Sequence, residues 1–280
     1  MTAAAPRRAL AVPCFGTDPA ALVALGVQAE AAGFDGFFIW DHMLFANDGN
    51  GPDILDPWTV LAVLADRTER ITLGPMVTPL SRRRPWTLAR QCVSIDRLSN
   101  GRLVLGVGLG SPAAGDFAHF GERSDDRGRA ELLDEGLQLL AQFFSGERFH
   151  HQGPYYQLAP MRFTPRPVRG SIPVWVGGVL PARRPLARAA RWDGAVPIRF
   201  AAGRVVRPSV DDLAEVRAYL AQQRPLAGYD LVVWSELTEP DGRTELLADY
   251  AEAGATWFIE TGRPGEDWYR LIADRIEQGP

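Results

Sequence analysis

The sequence predicts an α/β fold, a (β/α)8 barrel of the TIM type with an insertion between its fourth and fifth strands. Short apolar runs alternate with longer segments of helical spacing, eight times over 280 residues. Most of these units recur about every 25 to 35 residues, and such alternation is typical of a parallel sheet with right-handed crossovers. The first run ends in PCFGTDP, without the glycine-rich turn usual in dinucleotide-binding open sheets. An open doubly wound sheet is the rival fold, and the missing turn argues against it.

The predicted strands are short runs rich in apolar and β-branched residues, bounded by turn residues. In chain order they cover residues 9–15, 36–43, 71–79, 102–110, 172–178, 194–198, 230–237 and 255–260.

The predicted helices begin at recognisable capping residues. Asp18 and Asp56 are each followed by a proline suited to the first turn of a helix, and Gly33 is a glycine stop for the first helix. The helices cover roughly residues 19–32, 57–70, 85–97, 129–144, 182–192, 211–224, 243–254 and 266–277. The long gap between strands four and five indicates an insertion over about 111–171, and residues 1–280 are expected to form a single domain.

The charged residues exclude several classes of function. All 30 basic residues are arginine, so the chain has no lysine. Schiff-base aldolases, pyridoxal phosphate enzymes and P-loop nucleotide-binding proteins need a lysine amine, which arginine does not replace. A net charge of -4 argues against nucleic-acid binding, because such proteins usually carry a concentrated basic face.

The cysteines and the N-terminal segment predict a reduced, cytoplasmic protein without a membrane span. Cys14 and Cys92 lie far apart with no CxxC spacing, so a disulfide framework or a zinc site is not expected. The apolar run after Arg8 breaks at Pro13, which makes it too short for a signal peptide or a membrane helix.

The candidate site residues follow from the fold, because barrels of this type carry their catalytic groups at the carboxyl ends of the strands. In the first half the candidates are Cys14, Phe15, Asp41, His42, Met76, Val77, Thr78, Gly106, Gly108 and Gly110. In the second half they are Gly177, Gly178, Ile198, Arg199, Trp234, Glu236 and Glu260.

Asp41 and His42 form the only carboxylate–imidazole pair at a predicted strand end. A buried histidine there could donate to a ligand ring or move a proton, while the aspartate sets its tautomer or caps a loop. The alternative is a histidine exposed on a loop. No metal is expected, because the remaining histidines, His119, His150 and His151, fall in the insertion without a matching carboxylate spacing.

Two glycine segments suggest a flat, anionic ligand. GVGLGS at 106–111 lacks the third glycine of a dinucleotide fingerprint, but its small residues would let a flat ligand lie across the barrel mouth. Gly177 and Gly178 precede a helix whose start carries Arg183 and Arg184, an arrangement that suits a phosphate. The alternatives are glycines chosen for barrel packing and a simple tight turn.

Aromatic and basic residues also lie near the strand ends. An apolar ligand cavity could be lined by Trp40, Trp58, Trp86 and Phe120, although such residues are more often core. The run 82–84, three arginines, is expected to be a solvated turn.

Four stretches of this chain form a recognisable set: FFIWDHM, ITLGPMVTP with RPWTLARQCVSIDRLSNGRLVLGVGLG, DFAHFGE with RAELLDEGLQLL, and IPVWVGG with LARAARWDGAVP. Together they resemble the bacterial luciferase-like family of flavin-dependent oxidoreductases. The join LSNGRLVLGVGLG and the segment IPVWVGG are the most specific. The resemblance covers nearly the whole length.

The resemblance implies a cofactor, either FMN or the deazaflavin coenzyme F420. Its ring is expected at the barrel mouth against strands two to four, and its phosphate at the glycines after strand five. A non-prolyl cis peptide bond is expected near Met76–Val77. The cofactor contacts are expected from Met76, Val77, Thr78, Gly106, Gly108, Gly110, Gly177, Gly178, Ile198 and Arg199.

The resemblance leaves the choice of cofactor open. His42 falls where deazaflavin-using members carry an Asp-His pair beside the ring. The acidic residue usual after the fourth strand appears as Asp116, displaced by several residues, and the pocket lysine of some deazaflavin relatives is missing.

The resemblance predicts a flavin-dependent oxidoreductase that acts on a small organic substrate with reduced flavin and oxygen. His42 and Asp41 are assigned to catalysis, with Glu236 or Glu260 as acid or base. The alternatives are hydride transfer with coenzyme F420, a flavin-binding protein without turnover, and a metal-dependent hydrolase. The expected partners are the substrate, a flavin reductase that supplies reduced cofactor, and a second copy in a homodimer.

Overall fold

The computed structural model describes residues 4–46, 48–111, 115–201, 204–237, 243–262 and 267–280. Its strands are β1 Arg7–Val12, β2 Gly36–Ile39, β3 Thr72–Pro75, β4 Thr78–Pro79, β5 Leu105–Gly108, β6 Arg148–Gln152, β7 Gln157–Arg162, β8 Val174–Val179, β9 Gly194–Ala201, β10 Arg204–Val206, β11 Asp230–Glu236 and β12 Trp257–Thr261. Its α-helices are α1 Pro19–Ala32, α2 Pro57–Arg67, α3 Pro85–Leu98, α4 Asp126–Ser145, α5 Arg183–Ala189, α6 Val210–Ala221, α7 Arg243–Glu252 and α8 Trp268–Gln278.

The third barrel strand consists of two pieces and closes the sheet on itself. The parallel order is β3-β2-β1-β12-β11-β9-β8-β5-β4, and β3 and β4 are separated only by Met76 and Val77. Eight strand positions therefore form a ring, with β3 paired to β2 and β4 paired to β5. The predicted TIM barrel is confirmed: the two ends of the strand order, β3 and β4, belong to one strand position, whereas an open doubly wound sheet has two free edges.

The helix starts follow the predicted capping chemistry. Asp18 accepts a hydrogen bond from the Ala21 amide at the start of α1, and Asp56 accepts one from the Thr59 amide at the start of α2. Gly33 ends α1 with φ of 99°, a left-handed conformation that costs glycine little. The predicted first residue of the last helix, at position 266, lies outside the described residues.

Alternate residues of the barrel strands fill the barrel interior, as strand geometry requires. The intervening residues face the surrounding helices and form the larger outer core. The interior cluster comprises Ala9, Ala11, Phe38, Met76, Val104, Trp175, Val196, Val232, Trp234, Trp257 and Ile259.

The stretch between β5 and β8 contains α4 and an antiparallel hairpin of β6 and β7. The sequence interpretation recognised the helix and missed the hairpin. Glu135 of α4 holds the hairpin, since its carboxylate accepts hydrogen bonds from the amides of Tyr155 and Tyr156 at 3.0 and 2.9 Å and lies 2.9 Å from His151 Nε2. The single domain and the insertion bounds stay predictions.

No helix in the described part of the chain is long and apolar enough to cross a membrane.

Candidate active site at the barrel mouth

His42 pairs with Asp116 at the mouth of the barrel. Its Nδ1 lies 2.7 Å from Asp116 Oδ2, although the two residues are 74 positions apart. Phe38 belongs to the interior cluster and Trp40 packs against it, so His42 continues this inward-facing series beyond the end of β2. A histidine with a carboxylate partner at a barrel mouth has the arrangement of a proton-transfer group.

The Asp116 carboxylate is fully buried and firmly held. Its Oδ1 accepts hydrogen bonds from the amides of Met43 and Leu44 at 2.7 and 2.9 Å. Burial raises the pKa of Asp116, but the hydrogen bond and charge of His42 and these two amides outweigh it, and the pKa lies below its usual value. An ionised carboxylate only accepts hydrogen bonds, so His42 donates to it through Nδ1, and in the neutral imidazole Nε2 is then the proton acceptor.

Aromatic rings surround the His42 imidazole. The ring centres of Phe45, Trp40 and Phe15 lie 5.0, 6.1 and 6.4 Å from that of His42. Trp40 also lies 6.1 Å from Trp234, on the other side of the barrel interior. The imidazole therefore has an apolar environment and one charged partner.

Asp41 does not pair with His42, because neighbouring residues along a strand face opposite ways. Its buried carboxylate accepts hydrogen bonds from Thr78 Oγ1 at 2.5 Å, from Trp58 Nε1 at 3.2 Å, and from the guanidinium groups of Arg82 and Arg83. Burial raises the pKa of Asp41, but the two arginines and Thr78 outweigh it and lower that pKa to about 2. Asp41 is thus a structural anchor that is charged at neutral pH, and the catalytic assignment is not supported by its position.

The arginine run was expected to be a solvated turn, and this expectation is wrong for two of its members. Arg82 and Arg83 are largely buried against Asp41, and Arg82 also donates to the Asp41 carbonyl at 2.7 Å. They hold the end of β2 to the turn that follows β4.

The bulge in the third strand carries the expected cis peptide bond, between Met76 and Val77. Gly106 and Gly108 of β5 face this bulge. A Cβ at Gly106 would lie 2.3 Å from the Pro75 carbonyl oxygen, and one at Gly108 would lie 2.9 Å from Val77 Cγ2. Barrel packing therefore requires these two glycines, because the Pro75 carbonyl and the Val77 side chain occupy the space that a Cβ would take.

Gly110 allows a tight turn in the loop after β5. Its φ of 73° favours glycine, and a Cβ there would lie 2.9 Å from both Phe117 and Pro79. Its carbonyl accepts a hydrogen bond from Arg129 at 3.0 Å. Gly110 thus shapes the loop that leads to Asp116.

Gly177 and Gly178 lie within β8 rather than at a helix start. β8 continues to Val179, and α5 begins five residues beyond Gly178, at Arg183. Gly177 is half-buried on the mouth side, where an added Cβ would reach Val77 Cγ1 at 3.5 Å, an ordinary contact. Gly178 faces outward, and a Cβ there would lie 2.4 Å from Pro185. Of the two glycines of β8, Gly177 is the one that faces the bulge at Val77.

Ile198 and Arg199 occupy opposite faces of β9. Ile198 packs against the interior cluster, on the mouth side. Arg199 bonds Asp212 of α6 through two nitrogens, each at 2.5 Å. The expected cofactor contact of Arg199 is therefore not supported by its orientation.

The two candidate acid–base carboxylates differ in position. Glu236 follows Trp234 on the inward face of β11 and is half-buried. Glu260 faces the outer helices, where Arg8 and Arg275 bond it at 2.6 and 2.9 Å and keep its pKa below the usual value despite burial. A role for Glu260 as acid or base is not supported, whereas Glu236 keeps the required position.

Four further candidates, three aromatic residues and a cysteine, have structural or surface positions. Trp58 is core and bonds Asp41, Trp86 packs edge-on against Tyr156, and Phe120 is exposed in the loop after β5. Cys14 is fully buried, and burial raises its thiol pKa to about 12, so it is no nucleophile at neutral pH. Among the described residues, no group of three or more His, Cys, Asp or Glu side chains is placed to hold a metal ion.

The mouth has the features that a flat cofactor needs. Gly108 and Gly177 flank Val77 on the inward faces of two neighbouring strands, so at these two positions neither strand adds a side chain to the strip of wall beside Val77. The buried indole N–H of Trp40 has no acceptor among the described residues. A planar heterocycle with ring oxygens or nitrogens fits both observations, so the residues present fit a flavin or deazaflavin ring.

A comparison with protein families agrees with this geometry. The model of the luciferase-like monooxygenase family matches residues 3–278. The chain belongs to the luciferase-like monooxygenase family.

One curated protein similar in sequence is an F420-dependent glucose-6-phosphate dehydrogenase of Microbacterium testaceum (strain StLB037). It is 33% identical over 172 residues, which is 60% of this chain and 50% of that protein. The luciferase-like chain thus spans about half the length of the curated relatives it matches.

Solved structures of both cofactor types share the fold. An F420-dependent secondary alcohol dehydrogenase in complex with an F420–acetone adduct has a TM-score of 0.76 at 14% identity and covers 98% of each chain. The FMN-bound oxygenating constituent of 3,6-diketocamphane monooxygenase from Pseudomonas putida has a TM-score of 0.63 at 17% identity, over 82% of this chain and 67% of that one.

Proposed function

We propose that this protein is an oxidoreductase that transfers hydride between coenzyme F420 and a small alcohol or carbonyl substrate. The observation that carries the proposal is the His42–Asp116 pair, held at the barrel mouth near the glycine strip beside Val77. It provides a proton acceptor with a fixed, charged partner where a flat cofactor fits. Oxidation of an alcohol needs such a group, because the hydroxyl proton must leave as the carbon gives up hydride.

The residues that would hold the cofactor are Val77, Gly106, Gly108 and Gly177 at its ring, with the end of β8 near its phosphate. When bound, coenzyme F420 accepts a hydride from a substrate carbon or returns one to it. Trp40 would offer its indole N–H to the ring edge.

His42 would take the substrate hydroxyl proton at Nε2. Its Nδ1–H remains hydrogen-bonded to Asp116, whose negative charge stabilises the imidazolium that forms. The rings of Phe15, Trp40 and Phe45 keep water from the flanks of the imidazole. Asp116 is accordingly a positioning residue, and Glu236 is a second candidate for proton transfer.

The curated relatives support F420 over the reaction of reduced flavin with oxygen. Two of them, the glucose-6-phosphate dehydrogenase and an F420-dependent hydroxymycolic acid dehydrogenase of Mycobacterium tuberculosis at 32% identity, carry F420 dependence in their names. Hydride transfer with F420 needs no partner flavin reductase, which belongs to the oxygen-dependent alternative. A homodimer remains a proposal.

The test loads the purified protein with oxidised F420 and adds secondary alcohols or glucose 6-phosphate without oxygen. We expect the visible absorption band of oxidised F420 to disappear with at least one of these alcohols. In a parallel reaction, oxygen consumption with reduced FMN and an organic substrate, above the uncatalysed rate, would favour the monooxygenase alternative. Tight F420 binding without reduction by any substrate of the panel would indicate a binding protein without turnover.

A further inference from the structure

One side of the barrel mouth is an apolar column along β9. Val196 lies in the interior cluster, Ile198 packs against that cluster, and Phe200 follows on the same face with 54% of its surface exposed. Alternate residues of a strand share a face, so the column rises from the interior towards the rim.

Two neighbouring strands widen this column into a wall. Val205 of β10 lies opposite Phe200 and also packs against the interior cluster. Val179 of β8 lies beside Ile198 and is exposed. Val179, Ile198, Phe200 and Val205 are called the apolar wall below.

The apolar wall lies across the mouth from His42. In the ring of eight strand positions, β2 and β9 are four steps apart in either direction. Trp40 and Trp234, with ring centres 6.1 Å apart, form the floor between the two sides. A molecule that reaches His42 therefore lies on aromatic rings and against aliphatic and aromatic side chains.

Several arginines at this end of the barrel are already engaged by protein groups. Arg199 bonds Asp212, and Arg82 and Arg83 bond Asp41. Arg207 donates to Ser235 Oγ at 3.0 Å. A sugar phosphate needs cationic side chains for its phosphate group, and these four arginines already have protein partners.

We infer that the substrate is an uncharged alcohol or ketone with an apolar chain or ring, which lies between His42 and the apolar wall. The inference rests on the proposed function for the reacting group. The apolar wall is the evidence for the apolar part of the substrate, away from the reacting group.

The experiment measures binding of 2-butanone, 2-hexanone and 2-octanone by titration calorimetry, with F420-loaded and cofactor-free protein. Burial of each further CH2 on the wall should lower Kd about threefold to fourfold. Glucose 6-phosphate should bind more weakly than 2-octanone. A Kd independent of chain length, or tighter binding of glucose 6-phosphate, would overturn the inference.

Phe200→Ala tests the wall itself, and Leu98→Ala is the matched control. Leu98 is 53% exposed at the end of α3, at the opposite end of the barrel. We expect Phe200→Ala to raise the Kd of 2-octanone about tenfold without changing the circular dichroism or the Kd of F420. Equal effects of the two variants would contradict the inference. If F420 does not bind at all while the chain-length trend and the Phe200→Ala effect remain, the proposed function fails and the apolar site stands.

Discussion

The Nδ1 atom of His42 lies 2.7 Å from Oδ2 of Asp116, and the same carboxylate accepts hydrogen bonds from the backbone amides of Met43 and Leu44. One buried charge therefore fixes both the imidazole and the backbone that follows it. Asp116 therefore has two roles: one carboxylate oxygen holds the backbone after β2, and the other holds the imidazole. A substitution that keeps the first contact can test the second role.

Asp116→Asn should lower turnover about 100-fold while the protein stays folded. The amide keeps one oxygen for the Met43 and Leu44 amides, but it removes the charge that stabilises protonated His42. Steady-state kinetics over a range of pH and thermal unfolding are the measurements. Because the pKa of Asp116 is lowered, its charge is present at neutral pH and is lost only in acid. A purely structural role would lower the unfolding temperature and leave kcat and its pH profile unchanged.

His42→Ala should reduce turnover by about 10² to 10⁴, since the proton acceptor is lost. Added imidazole should restore part of the activity by entering the space left by the side chain. Wild-type kinetics in this variant would remove His42 from the mechanism.

Gly177→Ala should weaken F420 binding about tenfold or more without destabilising the fold. The new Cβ would meet Val77 at an ordinary contact distance but would fill the strip that the ring needs. Gly178→Ala is the contrasting variant, because its Cβ would lie 2.4 Å from Pro185 and should lower stability. Fluorescence titration with F420 and thermal unfolding distinguish the two, and unaltered F420 binding by Gly177→Ala would count against the assigned ring position.

Asp41→Asn should lower the free energy of unfolding by about 3 to 5 kcal/mol, because Arg82 and Arg83 keep their buried charges without a partner. The folded pKa of about 2 is below the ordinary 3.8, so the Asp41 charge stabilises the protein fully above that ordinary value. This contribution, about 2 kcal/mol, is lost as pH falls from about 4 towards 2. Urea unfolding at several pH values measures it. The exposed Asp66→Asn is the control, and an equally small effect of both variants would refute the anchoring role.

Glu260→Gln and Glu236→Gln should have opposite phenotypes. Glu260 joins Arg8 and Arg275 behind the barrel, so its substitution should lower the unfolding temperature and leave turnover of folded protein intact. Glu236 lies on the mouth side, so its substitution should lower turnover more than stability. Loss of turnover in folded Glu260→Gln would reverse this assignment.

The barrel was predictable because its signals are local. Each strand is a short apolar run, and residues such as Asp18 and Asp56 mark helix starts by their own hydrogen bonds. The hairpins β6–β7 and β9–β10 escaped notice, since their strands are short and partly exposed, with a weak apolar pattern.

The site was only partly predictable because it depends on which face of a strand a side chain occupies. Strand alternation alone indicates that Asp41 and His42 point apart, and this signal was available in the sequence. That Asp116 returns to His42 depends on the path of the loop after β5, which no local pattern specifies. The outward orientation of Glu260 likewise depends on the strand register.

We propose that a deazaflavin ring binds at the mouth of this barrel, between Val77 and His42. Titration of the purified protein with oxidised F420 and, separately, with FMN, each followed by fluorescence, measures this binding. We expect F420 to saturate one site per chain at a concentration well below that needed for FMN, and His42→Ala or Gly177→Ala to weaken this binding. Tighter binding of FMN, or binding of neither cofactor, would contradict the claim.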